Sequence, residues 1–212
     1  MKLLLKTPSR AMPLYEADDS GMAIKPNKRS TVAHVDRINF HQARAAQKFL
    51  STQHLTFLNE KYLTTFERNL QQLGSHDTDT WVEYPDLYAF LQTNITRTSV
   101  EVLMGSKVLE MNPTLIEDFW EFDMAVPWLF RGWPRWFLPR AYSARDRVLD
   151  AIKKWHAHAH AQSDCTKLMD DDPEWEPYFG SKLLRARQEY ALKMKLMDAD
   201  ARASEDLGLL MA

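Results

Sequence analysis

The chain has 212 residues, 45% of them hydrophobic, with 27 basic and 29 acidic side chains and a net charge of -2. That apolar content supports a real core in one large domain or two small ones, and the balanced charge excludes a protein whose overall field gathers nucleic acid. A single cysteine, Cys165, excludes an internal disulfide and a cysteine-based zinc cluster, which points to a reducing compartment, and the six glycines leave few turn signals for strands.

At the N-terminus, Leu3, Leu4 and Leu5 lie between Lys2 and Lys6, far short of a signal peptide's apolar region or a membrane span. Residues 1–34, with Pro8, Pro13, Gly21 and Pro26 among charges, read as an irregular, linker-like segment. A chain that opens this way is expected to have lost something before it. From residue 35 to 212 the pattern is helical. One helix is expected over Val35–Phe49 and a second over Leu55–Leu73, where Leu55, Leu58, Tyr62, Phe66 and Leu70 fall near helical spacing. Gly74 is expected to end it, and Ser75–Thr80 to form a polar loop. Pro85 suits the start of a third helix carrying Leu87, Phe90, Leu91, Ile95, Val102 and Leu103 up to Gly105.

For the fourth helix, Asn112 is a good N-cap and Pro113 a good first residue. Ile116, Phe119 and Trp120, with Leu115 and Phe122 beside them, recur at helical spacing opposite Glu117, Asp118, Glu121 and Asp123. Pro127 should stop this helix near Val126. Between Pro127 and Pro139 come Trp128, Leu129, Phe130, Trp133, Trp136, Phe137 and Leu138, with Arg131 and Arg135 as the only charges. Loops are usually polar, so this one wants an apolar partner. It is too short and too broken by proline to span a bilayer. Two readings stay open: the aromatics pack under neighbouring helices, or they lie in a membrane interface with the arginines on anionic headgroups.

A fifth helix, from Ala141 or Ser143, presents Val148, Ile152 and Trp155 and runs into a His-Ala repeat. Asp170–Asp172, Pro173 and Pro177 mark a loop. A sixth helix covers Ser181–Met197, and another starts at Ser204–Asp206 and breaks off in an apolar LGLLMA, where a buried helix should be entering a core.

Chemistry is sparse. His156 and His160 share a helix face, but a third ligand is lacking, so they read as a solvated helix end and no metal site is assigned. Asp170, Asp171 and Asp172 lack the spacing of a calcium loop. Cys165 stands among acids, which disfavour a thiolate, and reads as a spectator. With no nucleophile elbow, phosphate loop or dinucleotide fingerprint, no catalytic residue is assigned.

The block EDFWEFDMAVPWLFRGWPRWFLPRAYSARDRVLDAIKKW resembles the stretch around the F and G helices of cytochromes P450, specifically fungal proteins related to oxysterol 7α-hydroxylases and prostacyclin synthase. In the same order, LYEADDSGMAIKP resembles the loop before the C helix and KFLSTQHLTFLNEKYLTTFERNLQQL the C and D helices. TSVEVLMGSKVLEMNP resembles the end of the E helix with the segment after it, and SEDLGLLMA the start of the long I helix.

The resemblance implies a mainly α fold: an incomplete P450 helical domain of about six helices, from the C helix to the start of the I helix, with little or no sheet. It implies a heme-thiolate monooxygenase that, when complete, oxidises a lipophilic sterol-, terpenoid- or secondary-metabolite-like substrate. Its partners would be that small molecule, a membrane surface and NADPH–P450 reductase, at the cytosolic face of the endoplasmic reticulum, with no nucleic acid. Arg37 and His41 lie about where family members reach a heme propionate. Trp128, Leu129, Phe130, Trp133, Trp136 and Phe137 fall where they line the substrate channel and touch the membrane.

The family's cysteine loop, its E-x-x-R pair, the acid and threonine of its I helix and its N-terminal anchor have no match, and Cys165, between the G and H helices, cannot take the heme-ligand role. The expectation is a chain that is inactive, retains no heme by itself, and aggregates or stays molten for want of its central helix. The alternatives are a non-catalytic P450-derived protein binding a hydrophobic ligand or a membrane, and an unrelated helical interaction module.

Overall fold

The computed structural model of the chain describes residues 2–73 and 83–211; the expected stop at Gly74 and the polar loop over 75–80 lie outside them. The helices are α1 (Lys2–Leu5), α2 (Met12–Ala17), α3 (Ile38–Phe49), α4 (Thr52–Gln71), α5 (Leu87–Met104), α6 (Ser106–Met111) and α7 (Leu115–Asp123), followed by α8 (Val126–Phe130), α9 (Pro139–Gln162), α10 (Lys182–Lys193) and α11 (Ala199–Leu210). A 3-10 turn at His34–Asp36 leads into α3. One antiparallel hairpin pairs β1 (Trp175–Glu176) with β2 (Gly180–Ser181), Trp175 opposite Ser181. The mainly α class expected from the sequence is what folds.

Caps set several helix starts. Asp86 accepts the Ala89 N–H at 2.9 Å, Ser181 the Leu184 N–H at 3.3 Å, and Asp198 the Ala201 N–H at 3.0 Å, each satisfying a donor that a first turn leaves open. Asp198 therefore starts α11 well before Ser204. At the other end, α10 stops at Lys193 rather than Met197, because Met194 turns extended (ψ 118°) and swings Met194 and Met197 inward. Asn112 does not cap α7. Its side-chain amide donates to the Val108 carbonyl at 2.9 Å, closing α6, and its own carbonyl accepts the Leu115 N–H at 3.0 Å, so α7 begins at Leu115.

Two apolar clusters form the interior. The larger surrounds α9, where Val148, Ile152 and Trp155 meet Phe119, Phe122, Leu129, Phe179 and Leu207. Each such side chain stabilises the fold by about 1.5–3 kcal/mol of burial, and the helical spacing read from the sequence places all of these α7 and α9 residues correctly. The smaller cluster joins Ile38 and Phe49 of α3 to Leu183 and Tyr190 of α10, and includes Ala11 and Leu14. The segment 1–34, expected to be irregular, thus carries two short helices and contributes to a core. On α5 the expectation holds for Val102, which is buried, whereas Leu87, Leu91 and Ile95 are exposed. Among the described residues, no helix is long and apolar enough to cross a membrane.

Candidate functional site

The apolar segment after α7, expected to be a loop, folds into a helix and a turn. Pro127 sits in the first turn of α8, where its missing N–H is no loss. Gly132 ends that helix with φ 74°; its N–H bonds to the Leu129 carbonyl at 3.0 Å and the Trp133 N–H to the Trp128 carbonyl at 3.4 Å, the Schellman arrangement that favours glycine. Leu129 is the anchor, 1% exposed, with Val126 and Leu138 partly buried beside it and α1 packed against α8.

With Leu129 turned in, its neighbours turn out. Trp128, Phe130, Trp136 and Phe137 are 45%, 70%, 80% and 51% exposed, and Met124 next to α8 is 70% exposed. The rings touch one another: Trp133 and Phe137 have centroids 4.2 Å apart, while Trp128 meets Trp133 edge-on at 6.2 Å and Trp136 meets Phe137 at 5.8 Å. Arg131 lies over the Trp128 ring at 5.1 Å. The Tyr142 hydroxyl donates to the Trp133 carbonyl at 2.8 Å, and Asp146 of α9 pairs with Arg135 and with Lys6, each at 3.1 Å. Packing under neighbouring helices therefore describes Leu129, and in part Trp133 and Leu138. The other aromatics form one exposed apolar patch bordered by arginine, the kind of surface that marks an interaction site.

Arg37 and His41 are placed differently from a solvated helix pair. Arg37 is 1% exposed. Its Nε donates to Ser20 Oγ at 3.0 Å, Nη1 to the Ile24 carbonyl at 3.0 Å and Nη2 to the Ala23 carbonyl at 2.6 Å, with the Phe40 ring 4.4 Å from the guanidinium carbon. His41 Nε2 donates to the His34 carbonyl at 2.9 Å, and its ring stacks on Tyr190 at 5.5 Å; burial holds its pKa below the ordinary imidazole range. All three guanidinium nitrogens already donate within the chain. In this arrangement the pair does not fit a heme propionate, which needs donors aimed at it.

His156 and His160 do share a face, but it is not a solvated helix end. His156 is 2% exposed because α10 and α11 cover it; its Nε2 lies 2.8 Å from the Asp206 carboxylate, which also accepts the Gln188 amide at 2.8 Å. No group of three or more His, Cys, Asp or Glu that could hold a metal ion occurs among the described residues. Cys165 is buried, and burial, with Glu176 adding to it, pushes its thiol up to about 12. Such a thiol is neither a nucleophile nor a ready ligand at neutral pH. Asp170 pairs with Lys48 at 3.4 Å and Asp172 accepts the Met169 N–H at 2.8 Å, as residues of an ordinary loop do.

The chain is 34% identical to the cytochrome P450 monooxygenase efuG of Hormonema carpetanum over 168 residues, 79% of its length. It is 37% identical to the cytochrome P450 monooxygenase fsoE of Humicola fuscoatra over 132 residues, or 62%, and 28% identical to the cytochrome P450 monooxygenase calL of Penicillium decumbens over 183 residues, or 84%. The chain belongs to the cytochrome P450 family. It spans 30%, 23% and 33% of the length of these P450 relatives, respectively. No family model and no solved structure matches it. The P450 resemblance read from the sequence is thereby borne out at the level of family.

Proposed function

We propose that this chain is the part of a P450 monooxygenase that meets a membrane surface and admits a lipophilic substrate. The observation that carries the reading is the outward-facing aromatic patch on a short, core-anchored element, with Trp128, Phe130, Trp136 and Phe137 exposed beside Arg131. Tryptophan and phenylalanine gain by leaving water at a headgroup interface, and arginine adds attraction to anionic lipid. In the complete protein, heme held by a cysteine thiolate supplies oxygen activation, and NADPH–P450 reductase supplies electrons. The substrate class is sterol-, terpenoid- or secondary-metabolite-like, in keeping with the resemblance to oxysterol hydroxylases, and the location is the cytosolic face of the endoplasmic reticulum. No described residue is assigned to hold the heme.

Co-sedimentation with vesicles tests the membrane contact. The chain is expected to pellet with vesicles containing anionic lipid, and Phe130→Ser with Trp136→Ser to release it while the far-UV circular dichroism is unchanged. Equal pelleting of the variant would sink the reading.

A second reading, a non-catalytic P450-derived protein that binds a hydrophobic ligand, is favoured by one feature. A cavity of about 720 Å³ between α2, residues 31–36 and residues 193–196 is lined by Pro13, Leu14, Val32, Val35 and Leu196, with Asp36 and Lys195 also in its walls. Its size and mixed lining suit a small-molecule site. A thiolate–carbonyl band in the purified complete protein supports the monooxygenase; heme-free protein that takes up a lipophilic dye, and loses it in Val35→Asp, supports the second reading.

A further inference from the structure

Beneath the last two helices lies a buried polar cluster that the entrance does not use. His156 and His160, one turn apart on α9, have ring centroids 6.1 Å apart, and the Phe179 ring covers His160 at 4.7 Å. From α11, Asp206 accepts from His156; from α10, Gln188 donates to the same carboxylate, and Arg187 Nε lies 3.5 Å from its other oxygen. Arg187 also reaches Glu205 at 3.5 Å, whose carboxylate accepts the Tyr15 hydroxyl at 2.5 Å and the Gln42 amide at 2.6 Å. Tyr190 of α10 stands beside Arg187, and Arg202 of α11 acts on His160. With both imidazoles neutral, the charges of Asp206 and Glu205 balance those of Arg187 and Arg202.

The two histidines differ in what a proton would meet. On His156 it would sit against Asp206. On His160 it would face the Phe179 ring and the like charge of Arg202, which with burial and His156 outweigh the favourable Gln188 side chain and Asp206 carboxylate, and the buried Nε2 of His160 has no hydrogen-bond partner in the closed form. An added charge there is compensated only in part, and opening the fold relieves the remainder.

We propose that His160 is an acid-sensitive latch: neutral, it lets α11 close over α9 and α10, and protonated, it drives α11 away. Burial, reinforced by His156 and Arg202, holds its pKa below the ordinary imidazole range. The open state therefore binds the proton more tightly than the closed one. Stability supplied by the closed form is intact above about pH 6.5 and is lost as the pH falls toward the lowered pKa. Opening would uncover Ala203 and Leu207 of the larger core. It would also reach the aromatic patch, because α1 packs on both α11 and α8.

The test tracks thermal melts and Trp155 emission of the full chain from pH 8 to pH 5; Trp155 is fully buried, with its ring 4.8 Å from His156. One proton taken up on opening multiplies the opening constant by up to about tenfold per pH unit. His160→Gln should abolish that step while leaving the slope due to His41, another imidazole lowered by burial. An identical slope in H160Q overturns the proposal. Should H160Q fail to fold, the His160 ring proton of the unaltered chain decides by NMR titration: a midpoint below about 6.5 with the Phe179 ring signals shifting alongside supports the latch, and a midpoint at or above that value overturns it.

Discussion

Gly105 and Gly180 meet backbone against backbone. Both adopt left-handed φ, 93° and 64°, and a Cβ on either would overlap main-chain atoms: the Pro177 carbonyl and Gly180 nitrogen for Gly105, the Leu103 carbonyl and Gly105 nitrogen for Gly180. The contact lets the hairpin close the end of α5. Trp175 Nε1 donates to the Val102 carbonyl at 3.1 Å and Ser181 Oγ to the Leu103 carbonyl at 3.0 Å, while the Lys107 N–H returns to the Pro177 carbonyl at 3.0 Å. Carbonyls that a last helical turn leaves open are thus satisfied by side chains of β1 and β2.

Gly180→Ala should accordingly lower stability by about 2–5 kcal/mol, left-handed strain of about 1–2 kcal/mol adding to overpacking of about 1–3 kcal/mol. Gly132→Ala supplies the contrast. It has the same backbone sign but nothing within 4 Å of an added Cβ, so only the strain of about 1–2 kcal/mol applies. Urea midpoints of the two variants measure the difference, and equal midpoints would show that close approach is not what Gly180 serves.

Arg37 invites a second substitution. Arg37→Ala strands the Ala23 and Ile24 carbonyls and removes a donor to Ser20 Oγ, leaving a buried void, with an expected loss of about 2–4 kcal/mol. Arg37→Lys keeps the charge but not the planar set of donors and should recover less than half of that. Trypsin, which cuts after Lys28 and Arg29, should cleave both variants faster than the unaltered chain. Unchanged melting and cleavage in Arg37→Ala would refute its role as a tie between residues 20–24 and α3.

The range over which each interaction acts decides how much of it the sequence discloses. Ile116 and Phe119, or Val148, Ile152 and Trp155, announce a buried helix face through spacing alone, because helical geometry is local. The same spacing on α5 says that Leu87, Leu91 and Ile95 share a face, but not whether anything covers it. His156 and Asp206 stand fifty residues apart, and neither neighbourhood carries a mark of the other; only the packing of α10 and α11 over α9 turns a His-Ala repeat into a buried pair. Arg37 donates to main-chain carbonyls, which have no residue signature. In the aromatic segment, composition cannot distinguish inward Leu129 from outward Trp128 and Phe130, whereas a single turn of helix separates them by direction.

Asp146 joins three elements: its carboxylate pairs with Lys6 before α2, Arg135 in the aromatic segment and Arg145 on α9, at 3.0–3.1 Å. Burial opposes its ionisation, but hydrogen bonds from Arg145 and Lys6 outweigh that and hold its pKa below the ordinary carboxylate value. The charged form is favoured by folding, so its stabilisation is present above the unfolded pKa of about 3.9 and fades as the pH falls through the folded value. Asp146→Asn should cost about 1 kcal/mol at neutral pH, the scale of partly exposed ion pairs, and should speed hydrogen exchange at the Phe137 and Leu138 amides without changing it at Ile152. The melting difference between the two proteins should be constant above about pH 5 and shrink below about pH 4. A difference that persists undiminished at pH 3 would mean that the carboxylate charge is not what holds the aromatic segment to α9.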